Sequence, residues 1–460
     1  MGYRIKRLQD VARGVRESRA LLERERWPRE RLERFQRHRL DELARHAAEH
    51  APLWRERIPR TRFELSDLPI LTKTELMESL DGLVTDRRLR LGALLQHLDR
   101  IEGDELYLGE YRVMTSSGSS GRKAVYVYDR KGWSGLAAMF FRRSDWTGAR
   151  PRLPRLRLAM IVGASPTHMG RRAAQTLDVG LHRLLRLSVT DPIPDLVARL
   201  NEFRPQQLNG YPSVIALLAE EQLAGRLRIA PEAIFTASER LTPELRKRLE
   251  RAFGVRPYNF YATTEGLFGH DCPEGSMHLF DDMCIVENLD EDGRPVPTGE
   301  IGARLLVTNL FNRSLPLIRF EVSDLVAVES EPCPCGRSLL RVRSLEGRAE
   351  EVLRLGGVTV HPLEFALVTS DRDVREFQVV QRGEGLRLRV ALRDGASDAP
   401  ARLWARVSAR LEELGVPRPT VHVETVDALE RSPGGKLQMI VPAAGAHSAG
   451  AMIAAGARRT

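Results

Sequence analysis

The chain has 460 residues, 42% of them hydrophobic, and no apolar run long enough to span a bilayer, which argues for a globular protein of two or three domains rather than a helical membrane protein. A net charge of +9 and an isoelectric point near 9.7 raise nucleic acid and anionic membrane as partners. The basic residues are scattered, however, and only six of the 71 are lysine. That bias reads as codon composition rather than a binding patch, so neither partner is expected, and each lysine becomes worth following.

The first stretch, Met1-Gly2-Tyr3-Arg4-Ile5-Lys6, lacks the apolar core of a signal peptide, so a cytosolic enzyme is expected. Through about residue 60 the chain is rich in arginine and glutamate with helical spacing, as in Leu21-Leu22-Glu23-Arg24-Glu25-Arg26 and Leu40-Asp41-Glu42-Leu43-Ala44. The most informative segment follows: Thr115-Ser116-Ser117-Gly118-Ser119-Ser120-Gly121-Arg122-Lys123. Glycines let backbone N–H groups turn inward, hydroxyls add donors, and the Arg-Lys end supplies charge, a combination suited to a polyphosphate. A Ser/Gly linker is the plain alternative. The alternating Ala124-Val125-Tyr126-Val127-Tyr128 behind the segment predicts a strand–turn–strand hairpin instead, and the pattern is not a G-x-x-x-x-G-K-[ST] loop.

From about 155 to 255 short apolar runs (156–162, 233–237) alternate with helical patterns such as Thr242 to Phe253, predicting an α/β sheet with helical crossovers. Phe260-Tyr261-Ala262-Thr263-Thr264-Glu265-Gly266 ends a strand-like run in two hydroxyls and a carboxylate that could hold Mg²⁺ beside phosphates; an ordinary strand end is the alternative. Past Asp281 strands and turns dominate, with a turn at 290–295. Asp324, after Ile318-Arg319-Phe320-Glu321-Val322-Ser323, could accept ribose hydroxyls or be a turn residue. Leu345-Glu346-Gly347-Arg348-Ala349-Glu350 begins a separate unit of Val-rich strands with a helix around Pro400 to Leu414. It ends near Arg431-Ser432-Pro433-Gly434-Gly435-Lys436, a scarce lysine on a Pro/Gly loop. The expected units are residues 1–346, 347–442 and an Ala/Gly/Ser-rich tail, 443–460, without fixed structure.

All four cysteines lie in one interval, Cys272, Cys284, Cys333 and Cys335, with His278 among them. In a cytosolic chain such clustering favours a metal over disulfides. Cys272, His278, Cys333 and Cys335 make a Cys₃His zinc set; Cys284 could replace His278, and unliganded buried thiols are the alternative. Four protein ligands would leave no open position, so such a zinc would be structural.

Taken in order, these segments resemble the adenylate-forming superfamily of acyl-CoA synthetases, and within it the phenylacetate-CoA ligase family and its deazaflavin-adenylating relatives. The resemblance covers nearly the whole chain and includes Ala51-Pro52-Leu53-Trp54-Arg55-Glu56-Arg57, Leu68-Pro69-Ile70-Leu71-Thr72-Lys73, Asn209-Gly210-Tyr211-Pro212-Ser213 and Thr236-Ala237-Ser238-Glu239-Arg240-Leu241. It implies a large N-terminal α/β adenylation domain and a smaller, mobile C-terminal α+β domain. It places Ser116, Ser117, Gly118, Ser119, Ser120, Gly121 and Lys123 along ATP's phosphates, Ser238 and Glu239 with Tyr258 to Tyr261 around the adenine, and Thr264 at the α-phosphate. Glu265 would bind Mg²⁺, Asp324 the ribose, Arg348 would sit at the domain junction, and Lys436 would stabilise charge on the α-phosphorus and the attacking carboxylate. The hinge would be Glu350, where relatives usually carry Asp. Ala262 and Ser120 also depart from the glycine and threonine common in the family.

The implied reaction is ATP-dependent activation of a carboxylic acid, aryl or arylacetic, as an acyl-adenylate. Transfer to CoA or a carrier protein's phosphopantetheine follows, with release of AMP and pyrophosphate. Trp133, Phe140, Phe141, Tyr211 and Phe260 are candidate pocket walls, each equally suited to the core, while Lys131 and Arg142 could meet a second polar group. Two further readings stand beside this one. One is an adenylating enzyme of secondary metabolism with a non-CoA acceptor or an amine-bearing or nitrite-derived substrate. The other is a catalytically silent nucleotide- or nucleic-acid-binding protein. A homodimer is compatible with any of them.

Overall fold

A computed structural model describes residues 3–116, 124–148, 152–163, 165–348, 351–360, 362–369, 371, 373–431 and 437–443. The arginine-rich start forms α1 (Tyr3–Arg24), α2 (Arg29–His50) and α3 (Pro52–Arg57). On α1 the buried positions Val11, Gly14, Ser18 and Leu21 recur three or four residues apart, the spacing of one helix face. Gly14 matters there because an added Cβ would come within 2.8 Å of Ala137, so a side chain would push α1 off the helix it lies against.

Three short helices, α4 (Lys73–Glu78), α5 (Leu80–Leu83) and α6 (Leu91–Arg100), lead to the expected hairpin, β1 (Tyr111–Thr115) and β2 (Val125–Asp129). Its strands pair antiparallel from Tyr111↔Asp129 to Thr115↔Val125. Helix α7 (Arg130–Trp146) starts directly behind, its N-terminus capped by the Asp129 side chain, which accepts from the Gly132 N–H at 2.6 Å. The alternating region then gives β3 (Arg157–Val162), α8 (Met169–Leu177), β4 (Arg183–Ser188), α9 (Ile193–Phe203), β5 (Gln207–Gly210), α10 (Pro212–Leu223), β6 (Ala233–Thr236) and α11 (Pro243–Phe253).

Strands β7 (Pro257–Thr263), β8 (Gly266–Asp271) and β9 (Met277–Leu279) continue the same sheet. A separate three-stranded sheet is formed by β10 (Cys284–Leu289), β11 (Arg304–Asn309) and β12 (Phe320–Val322), followed by β13 (Asp324–Glu329) and β14 (Arg341–Arg348). The nine-stranded sheet has the order β13-β14-β9-β8-β7-β6-β5-β3-β4. Its pairings from β4 to β7 are parallel and those from β7 to β13 antiparallel. The change of direction falls at the turn between β7 and β8, which holds Thr264 and Glu265. Carboxyl ends of parallel strands at such a change are where open α/β sheets take ligands.

The C-terminal unit contains β15 (Leu353–Leu355), β16 (Val358–Val360), α12 (Ala366–Thr369), β17 (Val374–Arg382), β18 (Gly385–Leu392), α13 (Ala399–Glu413), β19 (Thr420–Thr425) and β20 (Ile440–Val441). Its four-stranded sheet, β19-β18-β17-β20, packs with α13 around a cluster of its own that includes Val379, Leu388, Leu403, Val407 and Leu411. A large α/β unit carrying a smaller α+β unit is the fold class expected. Among the described residues no helix is long and apolar enough to cross a membrane.

Candidate functional site

The hairpin and the sheet meet at Glu265. Tyr126 on β2 donates its hydroxyl to Glu265 Oε1 at 2.5 Å. Two residues on, Tyr128 points the same way and donates to the carbonyls of Thr264 and Glu265 at 3.0 and 2.8 Å. Asn309 at the end of β11 donates to the Glu265 carbonyl at 2.8 Å. The turn is therefore clamped by three side chains that sequence reasoning did not single out. Burial, and next the charge of Glu265, push the Tyr128 hydroxyl well above its ordinary pKa, which keeps it a protonated donor.

On β7, Tyr261 donates to Asp324 Oδ2 at 2.9 Å; burial and the facing Asp324 hold that phenol protonated too. Asp324 stands opposite Arg348 in the β13–β14 pairing, so the two are cross-strand partners. Ser116 closes the base of the hairpin: its N–H donates to Ala124 O at 3.0 Å and its Oγ accepts from Ala124 N–H at 2.9 Å. Thr115 is braced by Thr167, through N–H to O at 3.1 Å and hydroxyl to hydroxyl at 2.9 Å. Ser117, Gly118, Ser119, Ser120, Gly121, Lys123, Glu350 and Lys436 lie outside the described residues, as does the side chain of Arg348.

Ser238 adopts φ +72°, a strained turn after β6 that aims Glu239 back at the sheet end. The Glu239 carboxylate accepts from the Ser213 N–H and from the Leu437 N–H, both at 3.0 Å. Tyr211 is buried beside this pair, and burial with the nearby Glu239 charge pushes its phenol up to about 12. Arg431 donates to Ser213 Oγ at 2.8 Å and pairs with Glu376. Leu437, directly after Lys436, is thus seated on Glu239 in the segment expected to flank the adenine, while Arg431 is seated on Ser213 and Glu376.

The candidate walls separate. Trp133 and Phe140 border a small cavity with Leu136, Met169 and Leu267, and the Trp133 indole donates to Thr176 Oγ1 at 3.0 Å. Phe140 stacks on Phe260, centroids 6.1 Å apart. Phe141 turns about 100° away on the helix and packs with Val11 and Leu177 beneath α1. Tyr211 belongs to a second core around β5 and α10. Arg142 does not face the cavity: it is fully buried, ion-paired with Asp282 and bonded to the Leu21 carbonyl, which corrects the expectation of a second polar contact there.

Cys272, His278, Cys333 and Cys335 come together, with all ligand atoms within 4.8 Å of one another. Cys272 Sγ and Cys333 Sγ are 3.8 Å apart, and Cys335 Sγ is 3.2 Å from His278 Nε2. An edge of about 3.8 Å is what a tetrahedron of thiolates at the Zn–S bond length requires, so the donor set fits zinc. His278 Nδ1 lies 3.0 Å from the Leu339 carbonyl, a second contact that orients the ring. Burial holds His278 down to about 4, so its imidazole is neutral. Cys284 is not in the group; its Sγ lies 3.4 Å from the Phe280 carbonyl.

No protein-family model matches the chain. It is similar to a phenylacetate-coenzyme A ligase of Thermus thermophilus, 28% identical over 294 residues, covering 60% of this chain and 63% of that one. It is also similar to protein CapK of Staphylococcus aureus, 26% identical over 253 residues, 53% and 54% of the two chains. The matched stretch is less than two thirds of either relative. Among solved structures, 2-hydroxyisobutyryl-CoA ligase in its postadenylation state with an acyl-adenylate gives a TM-score of 0.74 at 22% identity, covering 92% of this chain and 91% of that one. ATP-bound MatB from Rhodopseudomonas palustris gives 0.51 at 18% identity, covering 72% and 65%. The chain shares its fold with these two structures. In sequence, the chain is similar to phenylacetate-coenzyme A ligases.

Proposed function

We propose that the protein activates a carboxylic acid with ATP as an acyl-adenylate and then passes the acyl group to a thiol, CoA in the first instance, releasing AMP and pyrophosphate. The observation that carries this reading is the clamp on Glu265: two tyrosines from the hairpin behind the Ser/Gly segment fix the Thr264–Glu265 turn where the sheet changes direction. The similarity to acid-CoA ligases supports it. An aryl or arylacetic acid suits the aromatic walls Trp133 and Phe140, the latter backed by Phe260.

In this reading the chain supplies no nucleophile. The acid's own carboxylate attacks the α-phosphorus, and the protein contributes placement and charge. Glu265 accepts a hydrogen bond at Oε1 from Tyr126, which aims its carboxylate and fits it to hold Mg²⁺. That ion would neutralise charge on the phosphates. Asp324, oriented by Tyr261, would take the ribose hydroxyls, and Lys436, carried by the loop docked through Arg431 and Leu437, would steady the developing charge. Between half-reactions the C-terminal unit would turn about Glu350. The Cys₃His cluster would hold a structural zinc.

Pyrophosphate release from ATP, measured across aryl, arylacetic and short aliphatic acids with and without CoA and with mass detection of products, tests the proposal. Acyl-CoA is the expected product with at least one acid, and Lys436→Ala should abolish adenylate formation while ATP binding persists. Adenylate without thioester would move the acceptor away from CoA. No pyrophosphate with any acid, or full adenylation by Lys436→Ala, would overturn the reading or the lysine's part in it.

A further inference from the structure

Four arginines are fully buried, Arg112, Arg142, Arg143 and Arg172, and three of them meet an aspartate. Arg112 pairs with Asp10 at 3.0 Å, Arg172 lies 3.6 Å from Asp104, and Arg142 pairs with Asp282. Arg143, near the end of α7, is 1% exposed and meets none. Its Nε and Nη1 have no hydrogen-bond partner among the described residues. Around it stand three rings, Phe140, Phe235 and Phe260, with centroids 3.9, 4.0 and 4.8 Å from the guanidinium carbon. Burial alone pushes its pKa down to about 9.

Beside it is His270 on β8, fully buried, its ring 4.5 Å from Phe260 and its nitrogens without a partner beyond the backbone of its own neighbour Asp271. Burial first, and the charge of Arg143 second, hold the half-buried His182 low. The surroundings of Arg143 are therefore aromatic, and no carboxylate among the described residues pairs with it. Cation–π contact offsets part of the cost of burying a charge, but it leaves Nε and Nη1 unbonded, and a buried charge that lacks hydrogen bonds is destabilising. A planar anion between those rings would satisfy both needs.

The location says which anion. Phe140 borders the wall cavity and stacks on Phe260, and both rings lie against Arg143. Phe260 lies four residues before Thr264, roughly 13 Å along an extended strand, about the length of an aryl or aryl-alkyl acid. We propose that Arg143, with His270 beside it, binds a second carboxylate at the distal end of the acid, so that the preferred substrate is a dicarboxylic acid with an aryl or alkyl spacer. The inference rests on the acid-activating function proposed above and names its substrate class.

The test compares matched pairs on the full chain: 1,4-phenylenediacetate against 4-methylphenylacetate, and suberate against octanoate. Binding is measured by calorimetry without ATP, and pyrophosphate release is measured separately. The wild type should bind at least one diacid tenfold or more tighter than its partner, and Arg143→Met should cut that ratio roughly ten- to hundredfold, the value of a charge-assisted pair. Because the substitution removes an unpaired charge, the ligand-free melting temperature should hold or rise. Equal losses for both acids with a lower melting temperature would make Arg143 a structural cation–π residue and overturn the inference. If Arg143→Met does not fold, Arg143→Lys should keep the direction of the preference, and a wild type without preference overturns the inference by itself. A diacid that binds without any pyrophosphate release would leave this site standing and defeat the ligase reading; a diacid turned over no better than its partner would do the reverse.

Discussion

The carboxylate of Glu265 is useful only if it is aimed, and Tyr126 aims it. Hydrogen bonds to a charged acceptor contribute about 1.5–3 kcal/mol. Tyr126→Phe keeps the ring in its core position against Phe320, 6.4 Å between centroids, and removes that bond. Adenylation should fall on the order of tenfold or more, with the Mg²⁺ concentration needed for half-maximal rate rising and the melting temperature little changed. An unaltered Mg²⁺ requirement would take Tyr126 out of the site. Glu265, Thr264 and Asp324 stand out in the sequence as candidates because hydroxyls and carboxylates are conspicuous at strand ends. Tyr126, Tyr128 and Asn309 were not: tyrosines alternating with valine read as one buried strand face, and nothing local says that their hydroxyls reach a turn more than 130 positions away.

Helix α7 shows how one element divides its labour, and why four adjacent residues were hard to assign. Phe140 faces the cavity and Phe141 the underside of α1; Arg142 reaches Asp282 and Arg143 the aromatic box. A helix turns about 100° per residue, so neighbours in sequence are never neighbours in direction. The cysteine cluster was easier, because antiparallel strands β8, β9 and β14 bring the turn at Cys272, His278 and the Cys333–Cys335 turn to one sheet end. Both turns need glycine at positive φ, Gly275 at +83° and Gly336 at +73°. Purified protein should hold about one zinc per chain. Removal by a chelator, or Cys335→Ser, should lower the melting temperature by several degrees without altering the nucleotide site. Metal analysis finding no zinc in folded protein would end that expectation.

The order of motifs along the chain exposed the two-unit architecture, but not what holds the units in register, because the contacts join segments far apart. Glu220 on α10 pairs with Arg248 on α11 and with Arg393 of the C-terminal unit. Arg431 and Glu376 form a pair whose side chains are only 16% and 8% exposed, next to Glu239. Burial raises the Glu376 carboxyl, Arg431 lowers it and Glu239 raises it again, so the arginine offsets the repulsion that Glu376 feels from Glu239. Removing one partner of a buried pair costs more than the pair contributes, because the remaining charge is left unpaired.

Arg431→Ala should therefore undock the loop that carries Lys436 and slow adenylate formation on the order of tenfold or more. Thioester formation from supplied acyl-adenylate should not slow in step. Arg431→Ala combined with Glu376→Gln should recover part of the first rate, since it removes the stranded charge. Single-turnover measurement of each half-reaction separates the outcomes. Equal slowing of both steps, or no recovery in the double variant, would show that the pair merely stabilises the C-terminal unit rather than its docked position.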